Sequence, residues 1–135
     1  MAEAPESSGA QHDALTGGRL NAAISTAIVR LHSEFYGKGP TKARTYTVDD
    51  LVVTVLRHIF TTVEKTLIDS GREAQVRDVR TAFQHAMAER FSAAVERYTG
   101  RRVVAFFSQI DVEAEMAIEA FVLETPSEDG GPPAA

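Results

Sequence analysis

The stretch with most scope for chemistry is Gly37-Lys38-Gly39-Pro40-Thr41-Lys42-Ala43-Arg44. Glycines leave backbone N–H groups uncovered, and three cations within seven residues raise the local positive potential. Such a segment can cradle a phosphate or a carboxylate. It is not a P-loop, because the GxxxxGK[ST] spacing is missing and the chain runs on into a strand-like segment, not a helix N-terminus. A second reading stays open: a tight helix-to-strand connection whose cations are simply exposed. Arg101-Arg102 extends the same basic patch if the fold brings it near Lys42 and Arg44. The candidate anion- or partner-binding set is therefore Gly37, Lys38, Gly39, Thr41, Lys42, Arg44, Arg101 and Arg102.

Other chemistries find little support. The chain has no cysteine, which removes disulfides, thiolate metal sites and cysteine nucleophiles. The four histidines, His12, His32, His58 and His85, include no pair at the i, i+4 spacing of a helical zinc site, and HExxH is absent. His85 and Glu89 share a helical face and read as a solvated pair. No GxSxG elbow occurs. Asp49-Asp50 reads as turn chemistry, since Asp tolerates the left-handed backbone region and bonds its own main chain. The acids Asp111, Glu113, Glu115 and Glu119 lack the central glycine of a calcium loop and read as a solvated loop. Nucleic-acid binding needs a basic face with stacking aromatics, whereas Phe35, Phe83 and Phe91 fall on core faces. The residues thus point away from an enzyme, a metal and a cofactor, and toward recognition.

At 135 residues the chain is the size of one domain. Its net charge of −5 sits in the tails. All fourteen Lys and Arg lie between Arg19 and Arg102, and fourteen of the nineteen acids fall in the same core taken to Glu124, which is formally neutral. The five excess acids are Glu3, Glu6, Asp13, Glu128 and Asp129. Residues 1–16 and 125–135 are rich in Ala, Ser, Gly, Pro and acids. They bury too little apolar area to offset ordering, so disordered tails are expected around one domain at 17–124. The N-terminus lacks the basic and apolar regions of a signal peptide. No apolar run approaches the ~18–20 residues of a membrane span. A cytoplasmic protein is expected.

Periodicity places the elements. Leu20, Ile24, Ala27, Leu31 and Phe35, widened by Ile28, predict a helix over Arg19–Tyr36 that ends at Gly37. Arg44–Val48 and Leu51–Leu56 predict a β-hairpin turning at Asp49-Asp50, with the second strand central in the sheet. Capping boxes at Thr61/Glu64 and Ser70/Glu73 open a short helix over Thr62–Asp69 and a long one over Arg72–Thr99. On the long helix Val76, Val79, Phe83, Met87, Phe91, Val95 and Tyr98 form one apolar face opposite arginines and acids. Arg102–Ser108 and Ala117–Glu124 predict a second hairpin with an extended loop. The order α-β-β-α-α-β-β implies an α+β fold, a four-stranded, mainly antiparallel sheet with three helices on one face. Leu51–Leu56 alternates so little that it needs cover on both faces, which predicts a homodimer.

Three blocks, GKGPTKAR, TVDDLVV and TGRRVVAFFS, within a match over Arg19–Glu124, make the chain resemble a bacterial family. This is the MpsC-like family, the C component of a Na+-translocating membrane-potential-generating system, formerly a domain of unknown function. The chain departs from it at Arg57-His58-Ile59-Phe60, where relatives are expected to carry a glycine-containing segment. The resemblance implies a non-enzymatic accessory or regulatory domain, a companion of membrane proteins that move cations or take up inorganic carbon. It implies a membrane transporter as partner and a peripheral association with a membrane complex. It supplies no catalytic residues. The alternative is a small-anion or nucleotide sensor that uses Gly37–Arg44 as a pocket.

Overall fold

The computed structural model describes residues 16–125. The two tails read from composition lie outside the described residues, apart from Thr16 and Thr125. The elements are α1 (Gly17–Tyr36), β1 (Lys42–Val48), β2 (Leu51–Arg57), α2 (Thr62–Asp69), α3 (Glu73–Thr99), β3 (Val103–Asp111) and β4 (Met116–Leu123). This is the α-β-β-α-α-β-β order implied by the sequence. The strands form one antiparallel sheet in the order β1-β2-β4-β3. Both hairpins therefore place their second strand at the centre. Among the described residues no helix is long and apolar enough to cross a membrane.

Helix α1 packs over β1 and α3 over β3, while α1 and α2 both meet α3. The core lies between the helices and one face of the sheet. Ile24, Ile28, Phe91 and Phe121 are fully buried there, beside Val52, Leu56 and Val95. Each such side chain contributes about 1.5–3 kcal/mol by leaving water. Gly37 and Gly100 end α1 and α3 in the left-handed conformation, with φ of 94° and 71°. Thr61 and Glu64 form the capping box that opens α2.

Several expectations need correction. The buried line of α1 is Leu20, Ile24, Ile28 and His32, so His32 enters the core and Phe35 stays outside beneath the Arg90 guanidinium. Phe35 keeps the angular position of Ile24 and Ile28 but is the penultimate residue of α1, next to Tyr36 at the helix end. On α3 the buried line is Val76, Arg80, Gln84, Met87, Phe91 and Val95. Val79 is exposed and Arg80 is buried, against the division of apolar and charged faces drawn from the sequence. The reason is local: a carboxylate on α2 waits for the Arg80 guanidinium. No side chain caps α3 at its start, and Ser70 Oγ instead donates to the Thr66 carbonyl at 2.8 Å. The second hairpin carries no extended loop. Its strands run to Asp111 and from Met116, leaving a four-residue turn closed by Asp111 Oδ1, which accepts from Ala114 N at 2.8 Å.

Candidate functional site

The glycine loop is built into the fold. Gly37 N donates to the Ser33 carbonyl as the α1 cap. Gly39 lies so close to α1 that a Cβ there would stand 2.5 Å from Ser33 Oγ and 3.1 Å from the Val29 carbonyl oxygen. Lys38 turns inward, and its Nζ donates to the His58 carbonyl at 3.1 Å and the Phe60 carbonyl at 3.0 Å. Thr41 N donates to the Arg57 carbonyl and starts the β1–β2 ladder. The two glycines, Lys38 and Thr41 thus fasten α1 to the segment after β2. His58 on that segment has φ of 57°, the left-handed region that favours glycine, at the place where the family resemblance leads one to expect a glycine.

Behind the loop lies a polar clasp that joins all three helices. Arg80 of α3 donates to both oxygens of Glu64 on α2, at 2.8 and 2.7 Å, and to the Ile59 carbonyl at 2.5 Å. Tyr36 of α1 donates to Glu64 Oε2 in a short hydrogen bond, with the guanidinium 4.1 Å from the centre of its ring. Burial pushes the Glu64 carboxyl up, but hydrogen bonds from Arg80, Tyr36 and the Thr61 N–H outweigh it, so the group sits below its ordinary value. Burial and the bond to Glu64 push the Tyr36 phenol up to about 12. Both Glu64 oxygens and the Arg80 Nε and Nη2 groups are held by protein, as a fastening requires. The sequence signal for it was the Thr61/Glu64 capping box; nothing local marked Arg80 as its partner.

A second polar line crosses the helix-covered face of the sheet. Ser25 Oγ meets Thr45 Oγ1 at 2.8 Å, and Thr45 meets Thr54 at 2.9 Å. The register continues from Thr54 to Glu119 and Ser108. Glu119 is completely buried, with His32 Nε2 3.5 Å from its Oε2. The His32 ring stacks on Phe91, and its Nδ1 lies 3.0 Å from the Ile28 carbonyl. A carbonyl only accepts, so the Nδ1–H donates to it and Nε2 faces the carboxylate.

The remaining candidate cations do not gather. Lys42 and Arg44 stand at the start of β1, across from Arg57 and Val55. Together with Arg57 they rim a shallow concavity of about 520 Å³ whose lining holds no acid. Arg101 and Arg102 lie at the other end of the strands, roughly 20 Å away along a seven-residue strand. There Arg101 donates to Asp50 Oδ1 at 2.6 Å and to the Glu124 carbonyl at 2.9 Å, while Arg102 lies 4.0 Å from Glu124. Hydrogen bonds from Arg101 and then Thr125 hold the Asp50 carboxyl below its usual value. Asp49, at φ of 53°, takes the left-handed turn position read from the sequence. His85 and Glu89 are both exposed. Among the described residues no three His, Asp or Glu side chains are grouped to hold a metal ion.

What the sequence did not disclose is the face of the sheet turned away from the helices. Alternation and register arrange it in four cross-strand rows. The first is Lys42, Arg57, Met116, Asp111, and the second Arg44, Val55, Ile118, Gln109. The third is Tyr46, Val53, Ala120, Phe107, and the fourth Val48, Leu51, Val122, Ala105. Polar groups stand along the first row and at both ends of the second; elsewhere the only polar atom is the Tyr46 hydroxyl. Phe107 and Val48 are each 62% exposed, Tyr46 48% and Ile118 44%. Contiguous apolar patches of this kind mark association surfaces. Seeing this one required the pairing of β2 with β4, which periodicity does not give.

The family model for the Na+-translocating membrane potential-generating system (MpsC) matches residues 16–125. The chain belongs to that family. Its match spans every element from α1 to β4, so the clasp, the covered polar line and the open face all lie within the MpsC domain. The chain is also similar to the uncharacterized protein YrhF of Bacillus subtilis (strain 168), 29% identical over 100 residues, which cover 72% of this chain and 81% of that protein. No solved structure matches the MpsC domain described here.

Proposed function

We propose that this chain is a non-enzymatic accessory or regulatory domain that works by association, as a dimer, at a membrane system that translocates cations or takes up inorganic carbon. The observation that carries the reading is the uncovered apolar face of the sheet, together with the cations Lys42 and Arg57 in its first row. A domain that acts alone in water gains nothing from leaving Phe107, Ile118 and Tyr46 exposed side by side. Membership of a family named for a Na+-translocating, membrane-potential-generating system supports the membrane link. In this reading the domain stands at the cytoplasmic side and meets the membrane proteins peripherally. The test is affinity capture of the full chain from native cells, with and without detergent. Enrichment of an integral membrane cation transporter that depends on detergent extraction is the expected result, and a purely water-soluble set of partners would contradict it.

A second reading, a small-anion or nucleotide sensor, is favoured by the acid-free concavity at Lys42, Arg44 and Arg57. It no longer includes Lys38 and Gly39, which the fold employs. Calorimetry with nucleotides and bicarbonate separates the two readings, since Lys42→Ala should abolish any heat that the anion site produces.

A further inference from the structure

We infer that the open face of the sheet is covered by a second copy of this chain, related by a two-fold axis running parallel to the strands. The inference rests on the associative reading above and specifies its first partner.

The layout of the face selects one orientation for the second copy. Two sheets meeting face to face about an in-plane two-fold axis have two simple orientations. With the axis across the strands, the first row of one copy lies over the fourth row of the other. Lys42 would then face Val48 and Arg57 would face Leu51, burying unpaired cations against aliphatic side chains, which disfavours this orientation. With the axis along the strands, each row lies over its own counterpart, with β1 above β3 and β2 above β4. Lys42 then faces Asp111, and Tyr46 faces Phe107. The central strands match large against small, Val53 over Ala120, and pair Val55 with Ile118. Sheets pack in this way about 10 Å apart, within about 30° of alignment, a gap that long basic side chains bridge at the rim.

Charge supports the same orientation. Lys42, Arg44 and Arg57 occupy one corner of the face. The β3–β4 turn carries Asp111, Glu113 and Glu115 at the corner on the opposite edge of the sheet, at the same end of the strands. The strand-parallel axis places each basic corner over the acidic turn of the other copy, twice per dimer. An isologous contact needs this self-complementarity. Neither corner is neutralised within the fold: among the described residues Lys42, Arg44 and Arg57 form no ion pair, Arg57 donating to Met116 Sδ and Arg44 lying over the Tyr46 ring, and the Asp111 carboxylate accepts from Ala114 N of its own turn.

The experiment uses sedimentation equilibrium of the full chain and two surface variants, Lys42→Glu/Arg57→Glu and Asp111→Lys/Glu113→Lys, with circular dichroism confirming that each folds. The unaltered chain should be a dimer at about 100 µM, and each variant alone should associate at least about tenfold more weakly, because like charges then face each other at both corners. An equimolar mixture of the two variants restores attraction at both corners and should return to the affinity of the unaltered chain. Phe107→Glu should be monomeric. An unaltered chain that stays monomeric, a Phe107→Glu chain that still dimerises, or a mixture no tighter than its components would each overturn the inference. A dimer behaving as described, with no membrane transporter captured from cells, would leave this inference standing and defeat the reading of function above.

Discussion

In one pair of neighbouring rows the two faces of the sheet reverse the usual rule of composition. The face covered by helices carries Thr45, Thr54, Glu119 and Ser108 in a line across all four strands, whereas the face open to solvent carries Tyr46, Val53, Ala120 and Phe107 in the neighbouring row. A half-buried antiparallel sheet ordinarily alternates apolar inside and polar outside. On the covered side Ser25 partners Thr45 and Thr45 partners Thr54, while Glu119, with His32 3.5 Å away, and Ser108 are enclosed without a hydrogen bond to their side-chain oxygens. The open side has no such enclosure within one chain. The difference teaches that helices of the same chain close off the covered face and leave the open face uncovered, and the proposed association rests on that contrast.

The comparison breaks first on the covered side, where effects are largest. Arg80→Met leaves Glu64 buried without its cation and should cost about 3–5 kcal/mol, read as a drop in the urea midpoint. Phe121→Ala, at a position completely buried between sheet and helices, should cost a similar ~3–5 kcal/mol through lost burial and the cavity left behind.

Proton linkage gives a smaller, directional effect. The Tyr36 phenol is raised from 10.0 to about 12 in the fold, so its contribution is intact below pH 10 and is lost as pH rises through 12. Glu64 runs the other way: its carboxyl is lowered, so its contribution is intact above its ordinary value and is lost as pH falls through the folded one. Denaturation measured from pH 9 to 12 should therefore show falling stability, and Tyr36→Phe should remove part of that slope. An unchanged slope would show that the phenol is not coupled to the clasp.

The smallest effect belongs to the open face. Phe107→Ala should change the stability of the dilute monomer by no more than about 0.5 kcal/mol, because the ring touches little within one chain. A loss as large as that of Phe121→Ala would erase the distinction between the faces.

Sequence reading reached the elements more readily than their partners. Gly37, Gly100, the Thr61/Glu64 box and the Asp49-Asp50 turn are local signals, and each marks an element boundary in the structure. Arg80 is not local: its burial depends on Glu64, sixteen residues away on another helix. Grouping Lys42 with Arg101 failed for a related reason, since only the strand pairings place them at opposite ends of the sheet. The open face was partly legible, because Leu51–Leu56 already lacked polar alternation. Its breadth came from β3 and β4, whose strands extend beyond the segments read from the sequence.

The most direct test of the uncovered face is hydroxyl-radical footprinting of the full chain across a range of protein concentrations, read residue by residue by mass spectrometry. Oxidation of Tyr46, Phe107 and Met116 should fall together as concentration rises, while Phe35, exposed on the helix side, stays constant. Equal oxidation of these three open-face side chains at every concentration would contradict the account.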